Sequence, residues 1–202
     1  NKIQSNLILF VICVLSRAIT SIYYIEDIDS LRFALGVQDY SIINLQPHFP
    51  GYPIFIFFAK IVFFLSNSLG ITFSIMGGIS IFIIIHFTCK LARIELNSPN
   101  GLFCSAIIFF NPLLWILSNR YMPDIFGAAI MVAALYFLIL YKDFNYRLMI
   151  GAFLTGILAG TRLSYLPVLI VPAVLAVYKS GTRKYLLYSF VIGIIVWLLP
   201  LV

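Results

Sequence analysis

Asp27 and Asp29 stand two positions apart in "EDIDSLRFAL", directly after an apolar run that ends at Ile25. With Glu26 and Asp39 they place four of the chain's seven acidic residues in one short segment. A fifth, Asp124, follows "SNRYMP" and Arg120. A carboxylate held at an apolar surface can serve as a general base, taking the proton of an acceptor hydroxyl while that oxygen attacks an activated carbon. Arg162, near the middle of the mostly apolar stretch 148–178, could neutralise a phosphate leaving group. Together these are the two ends of a displacement in which a lipid-phosphate sugar gives up its sugar.

Each residue also has a plainer reading. Asp124 could be an acid favoured by the dipole of a helix N-terminus, and Arg162 a basic side chain reaching for the membrane surface. Glu26 and Asp39 could be solvated loop acids. His48 could ligate a metal, donate to a phosphate or only shape a turn. No second histidine lies near it, because His86 falls inside the apolar run 71–89, so the sequence supports no metal site and leaves a divalent ion open as a cofactor.

The elements that must position these residues follow from composition. Apolar residues make up 62% of the chain, charged residues only 10%, and the mean hydropathy is +1.07. Such a chain is expected to use lipid as its main solvent. The net charge of +6 comes from thirteen Lys and Arg scattered between apolar runs, which excludes a nucleic-acid-binding patch and reads as topology signal. Cys13, Cys89 and Cys104 are odd in number and lack C-x-x-C spacing, so they read as small buried hydrophobes.

A bilayer core needs about 20 helical residues. Runs 7–25, 71–89, 101–118, 124–141 and 186–202 come close, and 148–178 is long enough for two short spans but too long for one. This predicts an all-α polytopic bundle of about seven spans in one transmembrane domain over 1–202, cut from a longer protein. Polar clusters at Lys90, Arg93 and Glu95, at Asn119, Arg120 and Asp124, at Lys142, Asp143 and Arg147, and at Lys179, Arg183 and Lys184 read as surface turns. The paired short spans put Arg162 at a tip sunk below the membrane surface. "GILAG", Gly156 to Gly160, admits a close neighbouring helix. Residues 52–65, apolar for about 14 positions and carrying Lys60, suit a membrane-surface helix after the first span. Pro47, Pro50 and Pro53 around Gly51 stiffen the approach to it.

If 52–65 does not cross and the N-terminus is cytoplasmic, eight of the thirteen basic residues face the cytoplasm. The rival orientation, with 52–65 spanning, gives nearly the same count. The first is preferred because 52–65 is short and because it alone puts Asp27, Asp29, His48, Arg120, Asp124 and Arg162 on one side.

"EDIDSLRFAL" followed by "QPHFPGYPIFIFFAK" resembles the first extracytoplasmic loop of GT-C-fold integral-membrane glycosyltransferases, most closely the bacterial branch of the protein O-mannosyltransferase-like group. That loop reads D-x-D-S, F-A-L and H-P-P-G-Y-P, and Phe49 here replaces the first proline of the pair. "RYMPDIFGAAIMVAALYFLIL" and "GAFLTGILAGTRLSYLPVLIVP" are similar to the family's second acidic loop and glycine-rich helix. The resemblance covers nearly the whole chain as an N-terminal half. It implies a polyprenyl-phosphate sugar donor, inversion at the sugar carbon, and a site facing outward from a bacterial inner membrane. Asp27 and Asp29 match the acids that hold the catalytic base, Asp124 the second-loop acid, and Arg162 the phosphate-binding basic residue. His48 and Tyr52 match the proline-rich loop, and Arg120 and Glu26 join the expected substrate-binding set. The acceptor, whether glycan, lipid or protein, is undefined. The competing class is a transporter or flippase of a lipid-linked substrate, and a scaffold without chemistry is the third reading.

Overall fold

The computed structural model describes residues 2–139, 146–179 and 183–201, and its described residues are helical with no strand beyond an isolated bridge between Ser41 and Gln46. Helix α1 spans Lys2–Ile19. It stops short of the expected 7–25 because the Thr20 and Ser21 hydroxyls turn back to donate to the carbonyls of Ser16 (2.9 Å) and Ala18 (2.7 Å). The Ser21 hydroxyl satisfies the Ala18 carbonyl and that of Thr20 adds a second donor to the Ser16 carbonyl, so the helix can end inside an apolar run.

Within the stretch expected as a loop, 26–70, the chain forms α2 (Ile28–Gln38) and α3 (Pro53–Ser66). α3 has 14 residues, about 21 Å of helix, and matches the short apolar helix expected at 52–65. It buries Ile54, Phe55, Ile56 and Ala59 and leaves Phe57, Phe58, Ile61 and Phe64 on its outer face. Helix α4 (Leu69–Leu91) is the central element, packed by α1, α3 and later helices. α1 and α4 are the helices long and apolar enough to cross a membrane among the described residues.

The expected span 101–118 is interrupted. α5 covers Pro99–Phe109 and α6 covers Pro112–Leu117, with Asn111 between them accepting the Leu114 N–H at 3.1 Å. A proline lacks the N–H that would continue the first helix, and the asparagine before it caps the second. α7 (Asp124–Ile139) then packs on α4 and on α8 (Tyr146–Ala159). A 3-10 turn, Leu163–Tyr165, leads into α9 (Leu166–Lys179), and α10 (Arg183–Leu198) closes back on α8. The turn expected at Lys142 and Asp143 lies outside the described residues, as do 180–182 of the turn before Arg183.

The expected pair of short arms in 148–178 is present as α8 and α9, each of 14 residues, with Arg162 between them. The G-x-x-x-G works as a packing surface. A Cβ at Gly156 would come within 2.4 Å of the Phe190 carbonyl, and one at Gly193 within 2.4 Å of the Phe153 carbonyl. The missing side chains let α8 and α10 approach to backbone contact. Trp197 covers Gly160 and donates to the Gly156 carbonyl at 3.1 Å. α9 meets α7 and α8 but barely touches α10. A cavity of about 800 Å³ lies along it, lined by Leu166, Leu169, Ala173, Val177, Leu186 and Phe190 among others.

Candidate functional site

Asp27 sits at the N-cap of α2, and its carboxylate accepts the Ser30 N–H at 2.7 Å. This is why the chain turns helical at Ile28: an acid before the first turn satisfies a donor that the helix leaves open. The same carboxylate accepts from Arg120 Nη2, and Glu26 accepts from Arg120 Nε. Arg120 therefore clasps two acids and ties the turn before α7 to the start of the first loop. The Ser30 backbone bond first, and Arg120 further, hold the Asp27 carboxyl below the usual carboxylate range against the opposing effect of burial. Tyr121 reinforces the clasp by donating to the Ile22 carbonyl at 2.7 Å and stacking on Phe73 at 4.5 Å.

Asp29 lies in the first turn of α2 and is differently placed. Arg32 Nη1 donates to its Oδ1 at 3.2 Å, the i,i+3 neighbour on one helix face, and His48 Nδ1 stands 3.6 Å from the same oxygen. Its side chain remains 41% exposed. The expected proline-rich turn delivers the histidine. Gly51, at φ +88°, donates its N–H to the His48 carbonyl at 2.9 Å, and a Cβ there would strike the Tyr40 hydroxyl. Pro47 fits against Gly36 of α2. His48 Nε2 is 3.3 Å from Tyr52 Oη, and both rings meet Phe33 edge-on. Burial pushes the Tyr40 hydroxyl up to about 12, which keeps it neutral beside this turn.

Asp124 opens α7, and its Oδ1 receives Arg162 Nη2 at 2.6 Å from the tip between α8 and α9. Gly127 permits this, since a Cβ there would come within 2.6 Å of the Arg162 Cβ. The guanidinium commits Nη2 to Asp124 and leaves Nε buried without a partner.

All eight expected site residues thus gather at one end of the bundle, in three groups: Glu26, Asp27 and Arg120; Asp29, His48 and Tyr52; Asp124 and Arg162. Among the described residues no hydrogen bond or ion pair joins the second group to the third. Aromatic contacts bridge them instead, from Phe33 to Phe55 and from Phe55 to Phe126, two residues beyond Asp124. Asp39 stands apart, with its backbone capping the C-terminus of α2. His86 is packed between Phe82 and Phe87 and bonds Asn6 at 3.2 Å, away from the site. No group of three or more His, Cys, Asp and Glu able to hold a metal occurs among the described residues.

Two features escape a reading of the sequence. α2 was hidden because its apolar stretch is short, although an acid three positions before Ser30 is a cap signal. Arg17 lies inside the first apolar run, yet it is 0% exposed. It donates to Ser118 Oγ at 2.9 Å and to the Phe109 carbonyl at 3.1 Å, and it lies over the Trp115 ring at 3.7 Å. An arginine in an apolar run was the available signal, but apart from the adjacent Ser16 hydroxyl its partners sit more than ninety positions away. No family model matches the chain, nor does any curated protein or any solved structure.

Proposed function

We propose that the chain is the N-terminal catalytic portion of a GT-C-type membrane glycosyltransferase that moves a sugar from a polyprenyl phosphate to an acceptor at the outward membrane face. The observation that carries this reading is the meeting of Arg162 with Asp124 at the end of the bundle that also holds Asp27 and Asp29. In this reading α1, α4, the broken α5–α6 pair, α7, α8, α9 and α10 cross the membrane of a bacterial cell, and α2 and α3 lie on its outer surface. The apolar outer faces support lipid as the surrounding solvent: Leu7, Ile8, Val11 and Leu15 on α1, and Val171, Val174 and Leu175 on α9, are all exposed.

The acceptor oxygen attacks the anomeric carbon, and Asp29 takes its proton. The bond from that carbon to the phosphate oxygen breaks, and the lipid phosphate departs with the electron pair, its charge met by Arg162. Attack opposite the leaving group inverts the carbon. Asp29 suits the base better than Asp27, whose carboxylate is bound to Ser30 and Arg120 and held in its charged form. The Arg162 side chain is 30% exposed, so its guanidinium can meet a phosphate oxygen while Nη2 stays on Asp124. The cavity that begins at Leu166, one helical turn beyond Arg162, offers an apolar bed for the prenyl chain.

The test is incubation of the full-length protein in liposomes with radiolabelled polyprenyl-phosphate sugar. Label transfer in wild type should fall about a hundredfold or more in Asp29→Asn and Arg162→Ala. Transfer that survives both changes would remove the site assignment. Transbilayer movement of intact donor without transfer would replace the enzyme by a flippase.

A further inference from the structure

We infer that His48 is a positioning residue that orients Asp29 through Nδ1–H, with Tyr52 as the partner of its other ring nitrogen. The inference concerns the same site and borrows its catalytic meaning from the glycosyltransferase reading, but the arrangement itself stands on geometry.

His48 Nδ1 is buried and has no formed hydrogen bond. The acceptor facing it is Asp29 Oδ1 at 3.6 Å, too long for a formed bond and closed by a shift of about half an ångström. A buried N–H left open carries a desolvation cost that such a shift relieves. The opposite ring nitrogen, Nε2, lies 3.3 Å from Tyr52 Oη. The Asp29 carboxylate can only accept, so the proton of a neutral His48 belongs on Nδ1, and Nε2 is then the acceptor for the Tyr52 hydroxyl, which can donate or accept. Asp29 and Tyr52 together therefore favour the tautomer that points an N–H at Asp29. The edge contacts of Phe33 with the His48 and Tyr52 rings, at 5.7 and 5.0 Å, fix the ring plane.

Around Asp29 the charged and titratable groups are Arg32 from α2, and His48 and Tyr52 from the turn into α3. Arg32 and His48 both address Oδ1. In this arrangement Oδ2 is the oxygen left to receive the acceptor proton. The same logic explains why the turn needs Gly51 at positive φ: the reversal brings residues 48 and 52 onto one side.

Histidine tautomers can be read directly, and the chain has only two histidines. The protein, labelled with ¹⁵N-histidine and reconstituted in nanodiscs, is examined by NMR at a pH where both rings are neutral, with His48→Gln assigning the signal. His48 should appear protonated at Nδ1, the minor form of free histidine. Tyr52→Phe and Asp29→Asn should each move it toward Nε2 protonation while His86 stays fixed. A wild-type His48 protonated at Nε2, or one indifferent to both changes, would overturn the inference. In label transfer, His48→Asn, whose amide N–H reaches the Nδ1 position, should keep more of kcat than His48→Ala, with KM little changed in both. Equal loss in the two variants would reduce His48 to a packing residue. If the tautomer behaves as stated and wild type transfers no label, the arrangement stands and the glycosyltransferase reading fails.

Discussion

Arg17 and Arg162 are both arginines set among apolar residues, and the structure treats them in opposite ways. Arg17 has no carboxylate. Two hydroxyls, a backbone carbonyl and two aromatic rings surround it, and none of its surface is exposed. Arg162 has a carboxylate, partial exposure and an unused Nε. A guanidinium wrapped in dipoles and rings has nothing left to offer a ligand and serves to tie helices together. One that is half-committed at a surface can take a second anion. The contrast separates a structural arginine from a candidate working one, where hydropathy alone ranks them alike.

The largest effects should come from exchanging the two losses. Arg17→Met should lower stability by about 3 kcal/mol, because it leaves Ser118 Oγ and the Phe109 carbonyl without their donor, and thermal unfolding in detergent measures it. Arg162→Gln should cost about 1 kcal/mol or less by the same measurement while reducing label transfer. Arg17→Lys should recover little, since an ammonium cannot reproduce the planar fork. If Arg162→Gln unfolds the protein and Arg17→Met does not, the distinction collapses.

A smaller effect sharpens it. Gly127→Ala adds a Cβ that must displace Arg162, so transfer should fall about tenfold with a stability loss of about 1–2 kcal/mol, while the surroundings of Arg17 stay unchanged. Tryptophan fluorescence from Trp115, which lies against Arg17, reports whether that region has moved.

The smallest effect concerns Asp27, which resembles Arg17 in being fully engaged. Its native pKa is depressed, so the stability it contributes is present above the unfolded carboxylate value, near 4, and is lost as pH falls through the lower native value. Asp27→Asn should flatten that acid limb below the unfolded carboxylate value, with a loss at pH 7 of about 1 kcal/mol or less, as for a surface ion pair. Asn still caps α2, so any larger loss would be assigned to the Arg120 clasp.

The helical class, the short helix at 53–66 and the hairpin carrying Arg162 were legible from run lengths and prolines, because these are local properties of the chain. The glycine pair was legible too, although its partner, Gly193, was not. The pairings of the site were not legible. Arg120 with Asp27, Asp124 with Arg162 and Arg17 with Ser118 join residues far apart in sequence, and nothing in the spacing selects one acid for one arginine. The same holds for the division of labour between Asp27 and Asp29. Both are acids after an apolar run, and only the start of α2 makes one a cap and leaves the other accessible.

The interruption at Asn111–Pro112 has a consequence for Arg17. In an unbroken helix the Phe109 carbonyl would accept the N–H of residue 113. Because α5 ends there, that oxygen is left vacant and points at α1, where Arg17 Nη2 reaches it at 3.1 Å. A break between two helices thus provides the landing point for a charge carried by a third, and the chain uses an unmade backbone bond as a ligand for a fully enclosed cation.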